Sequence, residues 1–200
     1  MQMKKLFFIA LLVALPKWCH AFQQVLLPGT ISNTTPDAGQ TSWNNPDNAK
    51  IEDGVITSTR CPGVGTTLLK ATNFGFKIPL AATIVGIKVR VKENENTAVM
   101  DRSVVLFDLN GSSVGVTDHA NLLVDWPTPL SFVTYGSETD LWGRSWSPQD
   151  INSSNFGFGI AANRDDVTTQ IAEIDVIEMS ISYYQPTTIY NGTIYNGTLR

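Results

Sequence analysis

The sequence predicts an all-β protein: an antiparallel β-sandwich of about ten short strands, with a jelly roll as the favoured arrangement. Three observations lead there. Apolar and polar residues alternate in short runs, the signature of half-buried strands. Clusters of Gly, Pro and Asn punctuate those runs. No run of a dozen residues carries apolar side chains at helical spacing, so the crossover helices of a parallel sheet are missing. The chain of 200 residues is 42% hydrophobic and 16% charged, a balance that builds a core and argues against intrinsic disorder.

At the start, Lys4 and Lys5 precede an apolar run over residues 6–15, and the segment closes at Cys19-His20-Ala21. This pattern reads as a secretory signal peptide, residues 1–21, cleaved after Ala21. An apolar run of about ten residues reaches about 15 Å as a helix, half a bilayer, so no membrane span is expected after cleavage. Processing would remove Lys4, Lys5 and Lys17 and no acids, leaving a chain more acidic than the full-length net charge of −4. That acidity argues against a nucleic-acid partner, which needs a basic face. Cys61 would remain as a lone cysteine, which excludes an internal disulfide.

The domain, residues 22–185, is then read as strands. Val85, Ile87, Val89 and Val91 alternate with Gly86, Lys88, Arg90 and Lys92, the clearest half-buried strand. A second covers residues 104–109, and Asn110-Gly111 after it signals a hairpin leading into Val114-Gly115-Val116. Phe156, Phe158 and Ile160 share one face; Gly157 and Gly159 opposite them imply close approach of a backbone or a ring. The last long strand, residues 171–184, changes phase. Ala172, Ile174 and Val176 share one parity, and Ile177, Met179, Ile181 and Tyr183 the other, so a β-bulge near Val176 and Ile177 would turn both sets inward. Glu173 and Asp175 would then face solvent. Further strands are expected over residues 25–27, 54–59, 66–72, 121–125, 130–135 and 140–142. Ser147-Pro148-Gln149-Asp150 predicts one short helical turn, with a cap, a proline and an acid in register. Residues 186–200 form a tail in which Ile-Tyr-Asn-Gly-Thr occurs twice, from Ile189 and from Ile194. The tail reads as an assembly or attachment strand or as a frayed terminus.

Catalytic patterns are weak. Gly111-Ser112-Ser113-Val114-Gly115 matches a nucleophile elbow, but that motif needs a strand-to-helix turn and a base later in the chain. His119, the single histidine of the expected mature chain, follows too closely. A glycosidase would need two carboxylates across a cleft, and Glu138, Asp140, Asp150, Glu173 and Asp175 offer candidates whose spacing in space the sequence does not give. Gly63-Val64-Gly65 lacks the lysine of a phosphate-binding loop. One cysteine and one histidine do not make a usual zinc site. Asp47, Asn48, Glu52 and Asp53, with Asp37 as an addition, form a candidate structural calcium cluster; the alternative is ordinary turn-forming residues. No other cofactor is expected.

The tryptophans are the most suggestive side chains. Trp126, Trp142 and Trp146 are candidate sugar-stacking residues, as exposed aromatic platforms are in carbohydrate-binding modules. Alternatively the rings cap the sandwich ends, the favoured reading for Trp43, Trp142 and Trp146, with Trp126 open.

Several segments together carry a resemblance: Trp43-Asn44-Asn45-Pro46 with Asn48-Ala49 and Asp53-Gly54, then Leu69-Lys70-Ala71-Thr72-Asn73-Phe74-Gly75-Phe76. Ile78-Pro79, Ala82-Thr83-Ile84, Gly86-Ile87 and Val89 continue it, followed by Tyr135-Gly136, Asp140-Leu141-Trp142-Gly143, Asp150-Ile151-Asn152 and Asn155-Phe156-Gly157. Over residues 40–184 the chain resembles a β-sandwich, jelly-roll-like domain that recurs in uncharacterised bacteriophage virion-associated proteins and bacterial secreted or surface proteins. The resemblance implies a non-catalytic module and brings no catalytic residues with it. The resulting expectation is a secreted, non-enzymatic β-sandwich acting in surface binding or assembly, at the cell surface or on a virion. The alternative is a carbohydrate-binding module. Its partner would be a glycan or a second copy of the chain.

Overall fold

A computed structural model describes residues 19–113, 115–164, 170–186, 188–190 and 193–195. The expected signal segment lies outside these residues except for its last three. Two antiparallel sheets face each other. In one, β1 (Cys19–Leu26), β9 (Gln170–Pro186), β5 (Thr83–Glu95) and β7 (Ser131–Ser137) lie side by side, and β3 (Thr57–Cys61) also pairs with β9. In the other the order is β2 (Thr30–Asn33), β4 (Leu69–Thr72), β8 (Gly157–Arg164) and β6 (Val99–Phe107).

The pairings are nested. β1 pairs with β9, β4 with β8, and β5 with β7, while β6 is bridged to the later residue Asp125 through Met100. A chain whose outer halves pair first and whose inner halves pair last is one long hairpin rolled into two sheets, which is a jelly roll. The core lies between the sheets and includes Leu69, Ile87, Val89, Leu106, Trp142, Phe158, Ile177 and Met179, all fully buried.

β9 holds the sheet together. Its 17 residues pair with β5 along one edge and with β1 and β3, end to end, along the other. Its phase change is resolved by a bulge one residue earlier than the sequence suggested: Lys92 pairs with Val176 and Glu93 with Ile174, leaving Asp175 as the extra residue. Ala172 and Ile174 therefore join Ile177, Met179, Ile181 and Tyr183 in the core, while Val176 belongs to the opposite face. Asp175 does not reach solvent as expected. It is completely buried, accepts a hydrogen bond from the Gly54 N–H at 3.0 Å and pairs with Lys92 at 3.0 Å. A second bulge takes Val85 out of the alternation: Ile84 and Ile87 face inward and Val85 is the unpaired residue between them.

Other differences have local causes. Residues 121–125 and 140–142 are turns and irregular segments. The first segment carries Asn121, whose amide is held by a side chain, Asp101, at 2.9 Å rather than by a ladder partner. The second folds back over β5, where Asp140 O accepts from Ile87 N–H at 2.9 Å. After Asn110-Gly111 the chain turns, with Asp108 N–H donating to Ser112 O at 2.8 Å, but no strand follows; Val114 lies outside the described residues. α1 (Pro148–Asn152) forms where expected, with Ser147 and Asp150 capping each other. A 3-10 turn, Pro46–Lys50, was not anticipated. The predicted close approach at the glycines of β8 is observed: a Cβ on Gly159 would stand 2.7 Å from the Phe107 ring. In the tail, β10 (Thr188–Tyr190) and β11 (Thr193–Tyr195) pair with Ile189 opposite Ile194, so the two repeats fold on each other. The rest of residues 187–200 lies outside the described residues.

The aromatic Trp142 locks the end of the sandwich. It is buried, has φ 54°, and donates its indole N–H to Ile87 O at 2.9 Å. Gly136 makes room for it: its φ is 68°, and a Cβ there would stand 2.5 Å from the Trp142 indole nitrogen. Gly136→Ala is expected to destabilise the domain by about 3 kcal/mol through backbone strain and a displaced indole. Urea unfolding midpoints compare the two proteins; an unchanged midpoint would remove the indole from this role.

Candidate functional site

Among the described residues, acidic and phenolic groups converge beneath β6 and β7, and sequence spacing missed this meeting. Glu93 continues the inward parity of Ile87, Val89 and Val91 on β5, so its carboxyl enters the interior, where it is 1% exposed. Asp101 enters from β6 and is 3% exposed. Tyr135 from β7 stands between them, its Oη 2.9 Å from Asp101 Oδ1 and 3.2 Å from Glu93 Oε1. Asp101 also accepts from Trp126 Nε1 at 2.8 Å and from the Asn121 backbone N–H at 2.9 Å. A cavity of about 200 Å³ adjoins these groups, lined also by His119 and Val133.

Three acidic groups in such close contact share protons. A phenol has one proton to donate, so with both carboxyls ionised the Tyr135 hydroxyl could serve Glu93 or Asp101 but not both. Burial holds the Glu93 carboxyl well above the usual carboxylate range, and the neighbouring Asp101 raises it further. Burial raises Asp101 as well, but its donors from Asn121, Trp126 and Tyr135 oppose the shift. The arrangement that satisfies every distance has protonated Glu93 donating to Tyr135, and Tyr135 donating to ionised Asp101. Burial and the two acids push the Tyr135 phenol far above its ordinary value, so it serves as a fixed donor.

A glycosidase uses two carboxyl groups that face a substrate; here both acids instead contact the Tyr135 hydroxyl. The acids named from sequence lie elsewhere. Glu138 pairs with Lys88 at 3.0 Å, Asp150 caps α1, and Glu173 accepts from Asn94 at 2.7 Å. Asp175 sits in the β9 bulge. Asp140 lies 3.2 Å from His119 Nε2, and the His119 ring packs edge-on against Trp142 at 4.2 Å. That packing, rather than an approach to Ser113, is where the structure uses the histidine.

The expected tryptophan platform is overturned by burial. Trp126 is 4% exposed, Trp142 0% and Trp146 6%, so none offers an open ring face. Each indole N–H is taken: Trp126 by Asp101, Trp142 by Ile87 O, and Trp146 by Leu141 O at 2.9 Å. Trp43 stacks on Trp126 with ring centroids 6.2 Å apart. These rings cap and fill the sandwich, the alternative the sequence offered.

The calcium candidates do not converge. Asp47 pairs with Lys50 at 2.9 Å and Glu52 with Lys92 at 2.8 Å. The Asn48 amide donates to Ile56 O, and Asp53 accepts from the Val55 N–H two residues on. Those of Asp47, Asn48 and Asp53 are local turn contacts, and that of Glu52 reaches across to β5. Among the described residues no group of three or more His, Cys, Asp and Glu is placed to hold a metal ion. Cys61 is buried, and burial pushes its thiol up to about 12, against a smaller opposing effect of Arg164. A thiol in that state is a poor nucleophile.

No protein-family model and no curated protein matches the chain. Among solved structures, a chain of the cyanophage Pam1 capsid asymmetric unit is similar at a TM-score of 0.34 and 12% identity, over 83% of this chain and 86% of that chain. Segments that carry the sequence resemblance have structural work: Asn152 clamps Ile78 with two hydrogen bonds of 2.8 Å, and the Asn48 amide ties its turn to Ile56.

The raised Glu93 carboxyl makes stability pH-dependent with a definite sign. The folded state keeps a proton that the unfolded chain loses in the ordinary glutamate range. Stability is therefore full below that range and falls as pH rises toward the folded value. Glu93→Gln keeps a donor for Tyr135 and cannot ionise. The stability difference between variant and parent is expected to grow in the variant's favour by about 1.4 kcal/mol per pH unit over this window. Parallel pH profiles of urea unfolding would show instead that Glu93 is ionised in the fold.

Proposed function

We propose that the chain is an exported, non-enzymatic β-sandwich module that assembles with copies of itself at a surface, either a cell envelope or a virion. The observation that carries this reading is where the apolar side chains are left uncovered. The interior acids and the indoles have partners within the domain, while among the described residues apolar side chains gather at two places on its outside.

One feature is a protrusion. Leu122, Leu123 and Val124 follow one another in the segment beside β6 and are 57%, 92% and 58% exposed. The other is a notch of about 550 Å³ where β1 ends and β3 has not begun, opposite residues 175–178 of β9. Val25, Leu26, Leu27 and Val176 line it with Glu52 and Glu178. The half-exposed Ile51 and Val55 flank Glu52 in the chain. Contiguous uncovered apolar surface marks interaction sites. A protrusion and a notch at different places on one chain suit a head-to-tail contact, which closes into a ring or propagates.

Export rests on the leader pattern. β1 crosses the expected cleavage point, and a chain starting at Phe22 keeps the pairing of Phe22 with Tyr183 through Leu26 with Met179. Phe22 also stacks on Tyr183 at 5.6 Å.

Light scattering over a concentration series tests the reading. The protein is expected to form a defined oligomer or a growing polymer. Leu123→Asp and Val25→Asp are each expected to give a monomer with an unchanged unfolding midpoint, since both side chains are exposed. A monomer at every concentration would refute self-assembly.

A further inference from the structure

Three arginines surround the glycine-containing loop between β3 and β4, residues 62–66. Arg60 precedes it on β3, Arg102 reaches it from β6, and Arg164 reaches it from the end of β8. A Cβ on Gly63 would lie 3.9 Å from Arg164 Nε, and one on Gly65, whose φ is 84°, would run into the Arg102 side chain. The glycines thus let two guanidinium groups lie against the loop backbone. Arg60 and Arg164, with Thr41, Cys61 and Pro62, line a cavity of about 240 Å³.

Arg102 and Arg164 differ from the cations elsewhere on the domain. Lys50, Lys88, Arg90, Lys92 and Arg144 all face carboxylates. Among the described residues no carboxylate pairs with Arg102 or Arg164. Arg102 makes one long contact, 3.5 Å from Nη1 to Thr66 O. The Nε of Arg164 is buried with no hydrogen-bond partner. A buried cationic N–H without an acceptor is costly, and such a group calls for a bound ion or water.

We propose that this cavity binds a small tetrahedral oxyanion, phosphate or sulfate, free or as an ester group, with Arg164 as its principal ligand. Guanidinium groups present planar paired donors that match oxyanion geometry, and Arg60 and Arg102 add charge from two other strands. The loop lacks the lysine of a nucleotide-binding loop; here arginines from separate strands supply the positive charge. The site joins the two sheets, since β3 belongs to one and β6 and β8 to the other, so occupancy would also brace this end of the sandwich.

The test is titration of the purified protein with inorganic phosphate at low ionic strength, followed by amide shifts and the arginine Nε–H signals in nuclear magnetic resonance. Saturable shifts confined to residues 60–66 and the Arg164 Nε–H are expected. Arg164→Gln should weaken binding at least tenfold, and Lys50→Gln should leave it unchanged. Should Arg164→Gln fold poorly, Arg102→Gln on the other side of the loop should weaken binding severalfold. A glycerol phosphate arm separates the sources: tighter binding than inorganic phosphate assigns an ester ligand, and equal or weaker binding a free anion. Shifts that do not saturate, that spread over all cationic residues, or that survive in both arginine variants would overturn the proposal.

Discussion

The fold depends on one strand keeping its apolar side inward over its whole length. β9 is the neighbour of β1, β3 and β5, so a single-residue error of phase within it would turn half of its core residues outward and misalign three pairings together. The bulge at Asp175 prevents this. It also creates a buried carboxylate, and the chain covers that carboxylate with the Gly54 amide and the Lys92 ammonium. The segment before β3 is thereby tied to the centre of the sheet. The notch between β1 and β3 follows from the same geometry, because the bulge interrupts the edge at the place where neither strand reaches.

A second constraint is the pair of interior acids. Three strands from both sheets each direct one polar group to a common point, and burial there favours a proton retained on Glu93. Such networks specify a unique arrangement of the layers when complete, and are costly when broken. The tyrosine that completes this one lies within hydrogen-bond distance of both acids.

Much of the architecture was legible because period-2 alternation and turn residues are local signals. β5, β7 and β8 could be placed from Val89, Tyr135 and Phe158, and α1 from its capping residues. The bulge was visible as a parity change, but its position depended on which of Ile174, Asp175 or Val176 lost a partner on β5, and that is settled across strands. Residues 121–125 have strand-like composition yet follow side-chain hydrogen bonds from Asp101, a tertiary preference no local pattern reports. Among candidate site residues, turn composition could not tell calcium ligands from Asp47 and Glu52 holding lysines. Trp126 was left open between platform and cap because burial of an indole beside turn residues is decided by the opposing sheet. Glu93 was detectable, as an acid on core parity, but its meeting with Asp101 and Tyr135 required the rolled topology.

The central claim is that the extra residue at position 175 sets the register of β9. Comparing thermal unfolding of a chain lacking Asp175 with Asp175→Asn tests it directly. Asp175→Asn keeps the bulge and an acceptor for Gly54, losing the ion pair alone. The account predicts that the deletion lowers the midpoint far more than Asp175→Asn or abolishes cooperative unfolding, because Ala172 and Ile174 can no longer face the core together with Ile177 and Met179. Equal midpoints for the two would contradict it.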